Sequence, residues 1–161
     1  MGMGAPMVNE FMTPEPFVVS AREPVASVRN VLGRHGIDQI PVTDDKNRLV
    51  GIVTERDLRR DVGQGKPRTA NLRAMDVMTR EVITVSPATT MEEALAILID
   101  RRFSALPVVV CGFVVGMLST RDLLRRFLEM LKEGTSGPAD RSAGLVLHRT
   151  TVRRFEVQHD H

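Results

Sequence analysis

The chain has 161 residues, 42% of them hydrophobic and 26% charged, enough for one compact domain or two small halves that share a core. The net charge is only +2, its 22 basic residues (19 of them arginine) are spread along the chain, and there is no Trp or Tyr, which argues against a nucleic-acid binder that gathers charge beside stacking aromatics. No apolar run reaches the ~20 residues of a membrane span, the Met1 to Met7 stretch lacks the basic and apolar regions of a signal peptide, and the lone Cys111 excludes an intramolecular disulfide or a Cys-rich metal site, so a cytoplasmic protein without membrane insertion is expected.

In chain order, Phe17-Val18-Val19 reads as a short strand. Pro24 suits the first turn of a helix whose apolar stripe is Val25, Val28, Val31 and Leu32, and Gly36 ends it. Gln39 to Thr43 and Leu49 to Val53 are strands joined by the polar turn Asp44-Asp45-Lys46-Asn47, and Thr54 starts a helix through Asp61. Gly63 to Arg68 has the composition of a linker. Val82 to Val85 is a second short strand, and Thr90 with Glu93 three residues on is a capping-box signature for a helix that turns Met91, Ala94, Leu95 and Leu98 inward. Leu106 to Val110 and Phe113 to Leu118 are nearly all apolar and read as strands buried on both faces, joined by a tight turn at Cys111-Gly112. Ser119 opens a last helix that ends near Glu133-Gly134; beyond it, Ala139 to His161 is either a β-hairpin or a segment ordered only against a partner.

This order of elements is an internal repeat. At an offset of 66, Met12-Thr13 meets Met78-Thr79, Val19-Ser20 meets Val85-Ser86 and Pro41-Val42 meets Pro107-Val108. After one deletion the offset is 65, and Val50-Gly51 meets Val115-Gly116 while Arg56-Asp57-Leu58 meets Arg121-Asp122-Leu123. Each copy runs strand, helix, strand, strand, helix. One unit of about 50 residues can hardly bury its own sheet face, whereas two packed face to face can. The expected fold class is therefore α+β, with two β-α-β-β-α units related by an internal pseudo-twofold axis.

The repeated residues resemble the CBS motif, and the pair resembles a CBS tandem, or Bateman module. The match rests on Met12-Thr13 and Met78-Thr79, on Ile40-Pro41-Val42 and Leu106-Pro107-Val108, and on Gly51-Ile52-Val53-Thr54-Glu55-Arg56-Asp57 with Gly116-Met117-Leu118-Ser119-Thr120-Arg121-Asp122. On this reading residues 8–62 are the first motif, 63–72 a linker, 73–133 the second motif and 134–161 a C-terminal extension. The resemblance implies a regulatory, energy-sensing module that takes AMP, ADP, ATP, S-adenosylmethionine or NAD as effector, with no required cofactor. It also implies a homodimer built through the helices of both copies, and a regulated protein partner that the residues do not identify.

Physical logic supports a nucleotide at the repeated heptad. A strand delivers the chain to a helix N-terminus, where unpaired N–H groups and the helix dipole favour phosphate. Thr54 and Ser119 can donate to a phosphate oxygen, Arg56 and Arg121 add charged donors, and Asp57 and Asp122 can accept from a ribose diol. Gly51 and Gly116 are expected to leave room for the ligand beside the backbone. The same Ser/Thr-x-x-Asp spacing is equally an ordinary capping pair. The resemblance further implies that adenine lies against the start of each motif, so that one cleft uses Asp57 with Thr79, Val82 and Ile83, and the other uses Asp122 with Thr13, Phe17 and Val18. Residues before the middle proline also face these clefts in relatives: Ile40 with Asp38 in one copy, Leu106 with Ser104 in the other. Ser104 is compatible with phosphate, whereas the Asp38 carboxylate repels it. Pro14 and Pro16 remove backbone donors present in the second copy, so the two clefts are expected to differ.

Other polar groups have plainer readings. Arg34 and His35 at a helix end fit the dipole as well as they fit a phosphate. His159-Asp160-His161 fits a frayed terminus better than a metal site, and Cys111 has no evident activating neighbour. No nucleophile–base pair, metal-ligand spacing or Walker-type loop occurs, so no enzyme activity is expected. The leading expectation is a stand-alone sensor that binds an adenine nucleotide and modulates a partner. The alternatives are a ligand-free dimerisation scaffold and, last, a nucleic-acid-binding module.

Overall fold

The structure, a computed structural model, describes residues 4–62 and 71–134. In the first half, β1 (Thr13–Pro14) and β2 (Val19–Ser20) precede α1 (Val25–His35), the hairpin β3 (Gln39–Thr43) and β4 (Leu49–Thr54), and α2 (Glu55–Val62). The second half contains α3 (Ala74–Val77), α4 (Met91–Arg101), the hairpin β5 (Ala105–Val110) and β6 (Phe113–Ser119), and α5 (Thr120–Gly134). Two three-stranded sheets result, with strand orders β2-β3-β4 and β1-β6-β5.

Local chemistry sets most boundaries. Pro24 is the N-cap of α1, and Gly36 stops the helix in the left-handed conformation at φ 61°. The α4 capping box forms, with the Glu93 N–H donating to Thr90 Oγ1 at 3.2 Å and the Thr90 N–H donating to Glu93 Oε2 at 3.2 Å. The Asp44 carboxylate accepts from the backbone N–H groups of Lys46 and Arg48 and so closes the β3–β4 turn. Cys111 (φ 50°) and Gly112 (φ 86°) form the two-residue turn between β5 and β6, where both positions need positive φ.

Several expectations are revised. The strand read at Phe17-Val18-Val19 is shifted to Val19–Ser20, which pairs in parallel with β3. Only Val85 of the Val82–Val85 segment makes a ladder contact, a single parallel bridge to Val108. Leu95 points outward and is 39% exposed, because α4 buries only a narrow stripe of Met91, Ala94 and Leu98. The β5–β6 hairpin is not covered on both faces throughout: burial alternates along β6, and Val110 and Phe113 stand exposed at the turn. Residues 63–70 of the linker and 135–161 of the C-terminal extension, including its hairpin reading, fall outside the described residues, while Leu72, read as linker, packs against the core of the first half.

The two halves exchange their leading segments. A 3₁₀ turn at Val8–Glu10 and the strand β1 leave the first half and join the second, where Thr13 and Pro14 pair antiparallel with Met117 and Gly116. Residues 72–79 do the reverse, with Thr79 and Ile52 exchanging two backbone hydrogen bonds of 2.9 Å. The correspondence is pairwise: Val8 N donates to Thr89 O and Ala74 N to Glu23 O, while Met91 N donates to Pro6 O and Val25 N to Leu72 O. Reciprocity of this kind defines a pseudo-twofold axis. Consequently Val8, Phe11 and Met12 pack into the core of Val85, Leu98, Leu106, Val108 and Leu118. Ala74, Val77 and Met78 pack with Val28, Leu32, Ile40, Val42 and Val53.

Candidate functional site

The repeated Thr/Ser-x-x-Asp unit folds into the same capped helix start twice. Thr54 donates to Asp57 Oδ2 through its N–H at 2.9 Å and through Oγ1 at 2.8 Å, and the Asp57 N–H donates back to Thr54 Oγ1 at 3.2 Å. In the second copy Ser119 Oγ donates to Asp122 Oδ2 at 2.6 Å, and the Asp122 N–H donates to Ser119 Oγ at 3.1 Å. The capping role therefore holds at both positions. In each pair it engages Oδ2, leaving Oδ1 as the freer acceptor; at Asp122 the Oδ1 atom lies 3.4 Å from Arg125 Nη1.

Around Asp122 the exchanged segment adds a further group. Thr13 Oγ1, carried over on β1, donates to Asp122 Oδ2 at 3.1 Å. Asp122 lines a cavity of about 580 Å³ between the halves, within the range typical of small-molecule sites. The second half contributes Ser104, Ser119, Thr120, Asp122, Arg121 and Arg125 to its wall, and the first half contributes Leu32, Gly33 and His35 at the end of α1, the following Gly36 to Asp38, and Glu55. Phe17, which packs on the first core, stacks behind the wall residue His35 with ring centroids 4.0 Å apart. Two bonds tie the halves together here: Gln39 Nε2 donates to Ser104 Oγ at 2.9 Å, and Arg121 Nη1 donates to the Gly36 carbonyl at 2.9 Å.

The cavity thus unites Asp122, Ser119, Arg121 and Ser104, with Thr13 and Phe17 attached through Asp122 and His35. Asp57, Thr54 and Arg56 are not part of its wall; Asp57 and Thr54 are half-buried and Arg56 is exposed. Thr79 is held by its backbone bonds to Ile52, Val82 is half-buried and Ile83 packs on the second core. Val18 is buried, and Ile40 and Leu106 are fully buried in the two cores. As cleft-wall side chains Ile40 and Leu106 are therefore corrected: they point away from the groove into the core, and it is Asp38 and Ser104, two positions earlier, that border the cavity.

Gly51 and Gly116 are corrected as well. A Cβ at Gly51 would lie 2.4 Å from Met78 Sδ, and one at Gly116 would lie 2.6 Å from Met12 Sδ. These glycines admit the methionines of the exchanged segments, not a ligand. Sequence reasoning missed Glu55, Thr120 and Arg125 as wall residues, and it left His35 open between a helix-dipole role and a phosphate contact. The repeat marks Thr120 as the counterpart of Glu55, but nothing in the sequence brings α1 opposite α5.

The CBS domain family matches residues 8–63 and 74–129, and the chain belongs to that family. It is 30% identical over 119 residues to the inosine-5′-monophosphate dehydrogenase of Methanocaldococcus jannaschii, covering 73% of this chain but only 23% of that enzyme. Among solved structures it is similar to CBSX2, a CBS-pair protein of Arabidopsis thaliana in complex with AMP (28% identity, TM-score 0.68, 78% of this chain and 98% of that one). It is also similar to the CBS domain pair of protein MJ0100 in complex with 5′-methylthioadenosine and S-adenosyl-L-methionine (25% identity, TM-score 0.67, 75% and 98% covered). Among the described residues no helix is long and apolar enough to cross a membrane.

Proposed function

We propose that the chain is a non-catalytic regulatory module that binds an adenine nucleotide or adenosyl ligand in the cavity between its halves. One observation carries the reading: a single cavity between the halves gathers Asp122, Ser119 and Ser104 from one half and the His35–Asp38 segment from the other. Asp122 Oδ1 accepts from the ribose, the His35 ring, backed by Phe17, offers a flat face to adenine, Arg125 supplies a donor beside Asp122, and Arg121, held at the Gly36 carbonyl, supplies one on the facing wall. Similar CBS pairs hold AMP in one case and methylthioadenosine and S-adenosylmethionine in the other. Because the wall belongs to both halves, a ligand acts on their mutual orientation to the extent that it binds one arrangement better than another. That change is what a regulated partner reads.

Isothermal titration with AMP, ATP, 5′-methylthioadenosine and S-adenosylmethionine tests the reading. Saturable binding that is lost in Asp122→Asn is expected; no heat from any of the four at millimolar concentration rejects it. We also propose that a second copy pairs through the helices. Leu124, Phe127, Leu128 and Leu131 form a stripe along α5 and are each more than half exposed, and Ile99 on α4 is 72% exposed. Leu124→Glu with Leu128→Glu is expected to give a monomer by light scattering.

A further inference from the structure

Charge is distributed unevenly around the cavity. The second half contributes Ser104 and Thr120, and at the positions related to them by the repeat the first half contributes Asp38 and Glu55. The cations on the wall are already engaged: Arg121 reaches the Gly36 carbonyl at 2.9 Å, and Arg125 lies 3.4 Å from Asp122. Glu55 has its own partner outside the wall, Arg59, at 2.6 Å, but its carboxylate still borders the cavity. Asp38 lies at the mouth of β3, and its carbonyl accepts from the Glu55 N–H at 2.8 Å, which holds the two acidic residues side by side. The wall therefore presents three carboxylates against two guanidiniums and one imidazole.

On the premise that this cavity is the adenosyl site, we infer that Asp38 and Glu55 set its specificity, excluding polyphosphates and restricting the ligand to an adenosyl group with one phosphate or none. The size of the cavity does not make this choice, since about 580 Å³ accommodates a nucleoside triphosphate as readily as a nucleoside. Electrostatics does. Two guanidiniums, Arg125 beside Asp122 and Arg121 held at the Gly36 carbonyl, can neutralise a single phosphate, but a chain of three brings its outer charges against the Asp38 and Glu55 carboxylates, which no further guanidinium among the described wall residues offsets. A neutral thioether nucleoside, or a cationic sulfonium, meets no such repulsion.

The test is competitive titration of the full chain with AMP, metal-free ATP and 5′-methylthioadenosine at low ionic strength, for the native protein and for Asp38→Asn with Glu55→Gln. Both positions are exposed and the backbone carbonyl of residue 38 is retained, so the variant is expected to fold as the native chain does. The native protein is expected to bind AMP and methylthioadenosine at least tenfold more tightly than ATP. In the double variant ATP gains at least fivefold and methylthioadenosine is unchanged, and added salt narrows the native gap. If ATP binds the native protein as tightly as AMP, or if the gap survives in the variant, the carboxylates do not select and the inference is overturned while the adenosyl site stands. If none of the three ligands binds, the adenosyl site itself falls, and this inference with it.

Discussion

Asp57 and Asp122 occupy the same position in the repeat and cap the same kind of helix, yet only Asp122 also holds a residue of the other half. Its Oδ2 accepts from both Ser119 and Thr13, whereas among the described residues Asp57 Oδ2 accepts from Thr54 alone. Replacing either by alanine leaves the Thr54 or Ser119 hydroxyl capping the helix but removes the carboxylate that accepts from it, and is expected to cost about 1 kcal/mol in urea denaturation. Asp122→Ala should be the more costly because β1 loses a side-chain tether; the exposed Arg125 pair adds little. Equal losses would show the Thr13 bond to be energetically silent. The glycines before these helices make a second case. Gly51→Ala places a methyl against Met78 Sδ and Cγ and 3.0 Å from the Thr79 carbonyl, and backbone cannot swing away as a thioether can. A loss of roughly 1–3 kcal/mol is expected, and Met78→Ala in the same chain should recover part of it, the signature of direct contact in a double-mutant cycle. At this scale the sequence exposes the residue types and their spacing, so the caps were legible. The role of the glycines was not, because it depends on a methionine from the opposite half whose register no local pattern reveals.

The helices and hairpins were legible because each carries its own signal: an apolar stripe and Gly36 for α1, the Thr90–Glu93 box for α4, Cys111-Gly112 for the β5–β6 turn. What sequence periodicity could not show is the destination of the two shortest elements. The 3₁₀ turn at Val8–Glu10 and the helix α3 are each a single turn, too short for any stripe. A weak signal existed: Glu10 and Asp76, at the 66-residue offset, accept from the N–H groups of Met7 and Arg73 at 2.9 and 2.8 Å and start both turns. Since Val8 is fully buried in the core of the second half, Val8→Ala should destabilise the protein by roughly 2–3 kcal/mol. Hydrogen exchange should report the earliest loss of protection in β5 and β6, not in the β3–β4 hairpin that follows Val8 in sequence. Loss confined to the first half would place Val8 in the wrong core.

For the whole molecule the exchange of segments decides how it unfolds. Two independent halves of this size would melt separately, each with a core too small to be robust. Here neither core is complete without residues from the other half: Ala74 and Met78 close one, Val8 and Met12 the other. The reciprocal bonds of Thr13 with Met117 and Thr79 with Ile52 pin the same segments at their edges. Opening one half thus exposes apolar surface in both, and partial unfolding gains chain entropy from one half while losing burial in two. Calorimetry is expected to show a single transition whose van't Hoff and calorimetric enthalpies agree. Leu32→Ala in the first core and Leu98→Ala in the second should each lower that one transition, because both side chains are nearly fully buried and each deletion costs roughly 2–5 kcal/mol. Two resolved transitions, with Leu32→Ala moving one and Leu98→Ala the other, would mean that the exchanged segments do not couple the halves. The cavity at their junction would then lack the rigid pairing of walls that a ligand needs in order to report its presence to the rest of the chain.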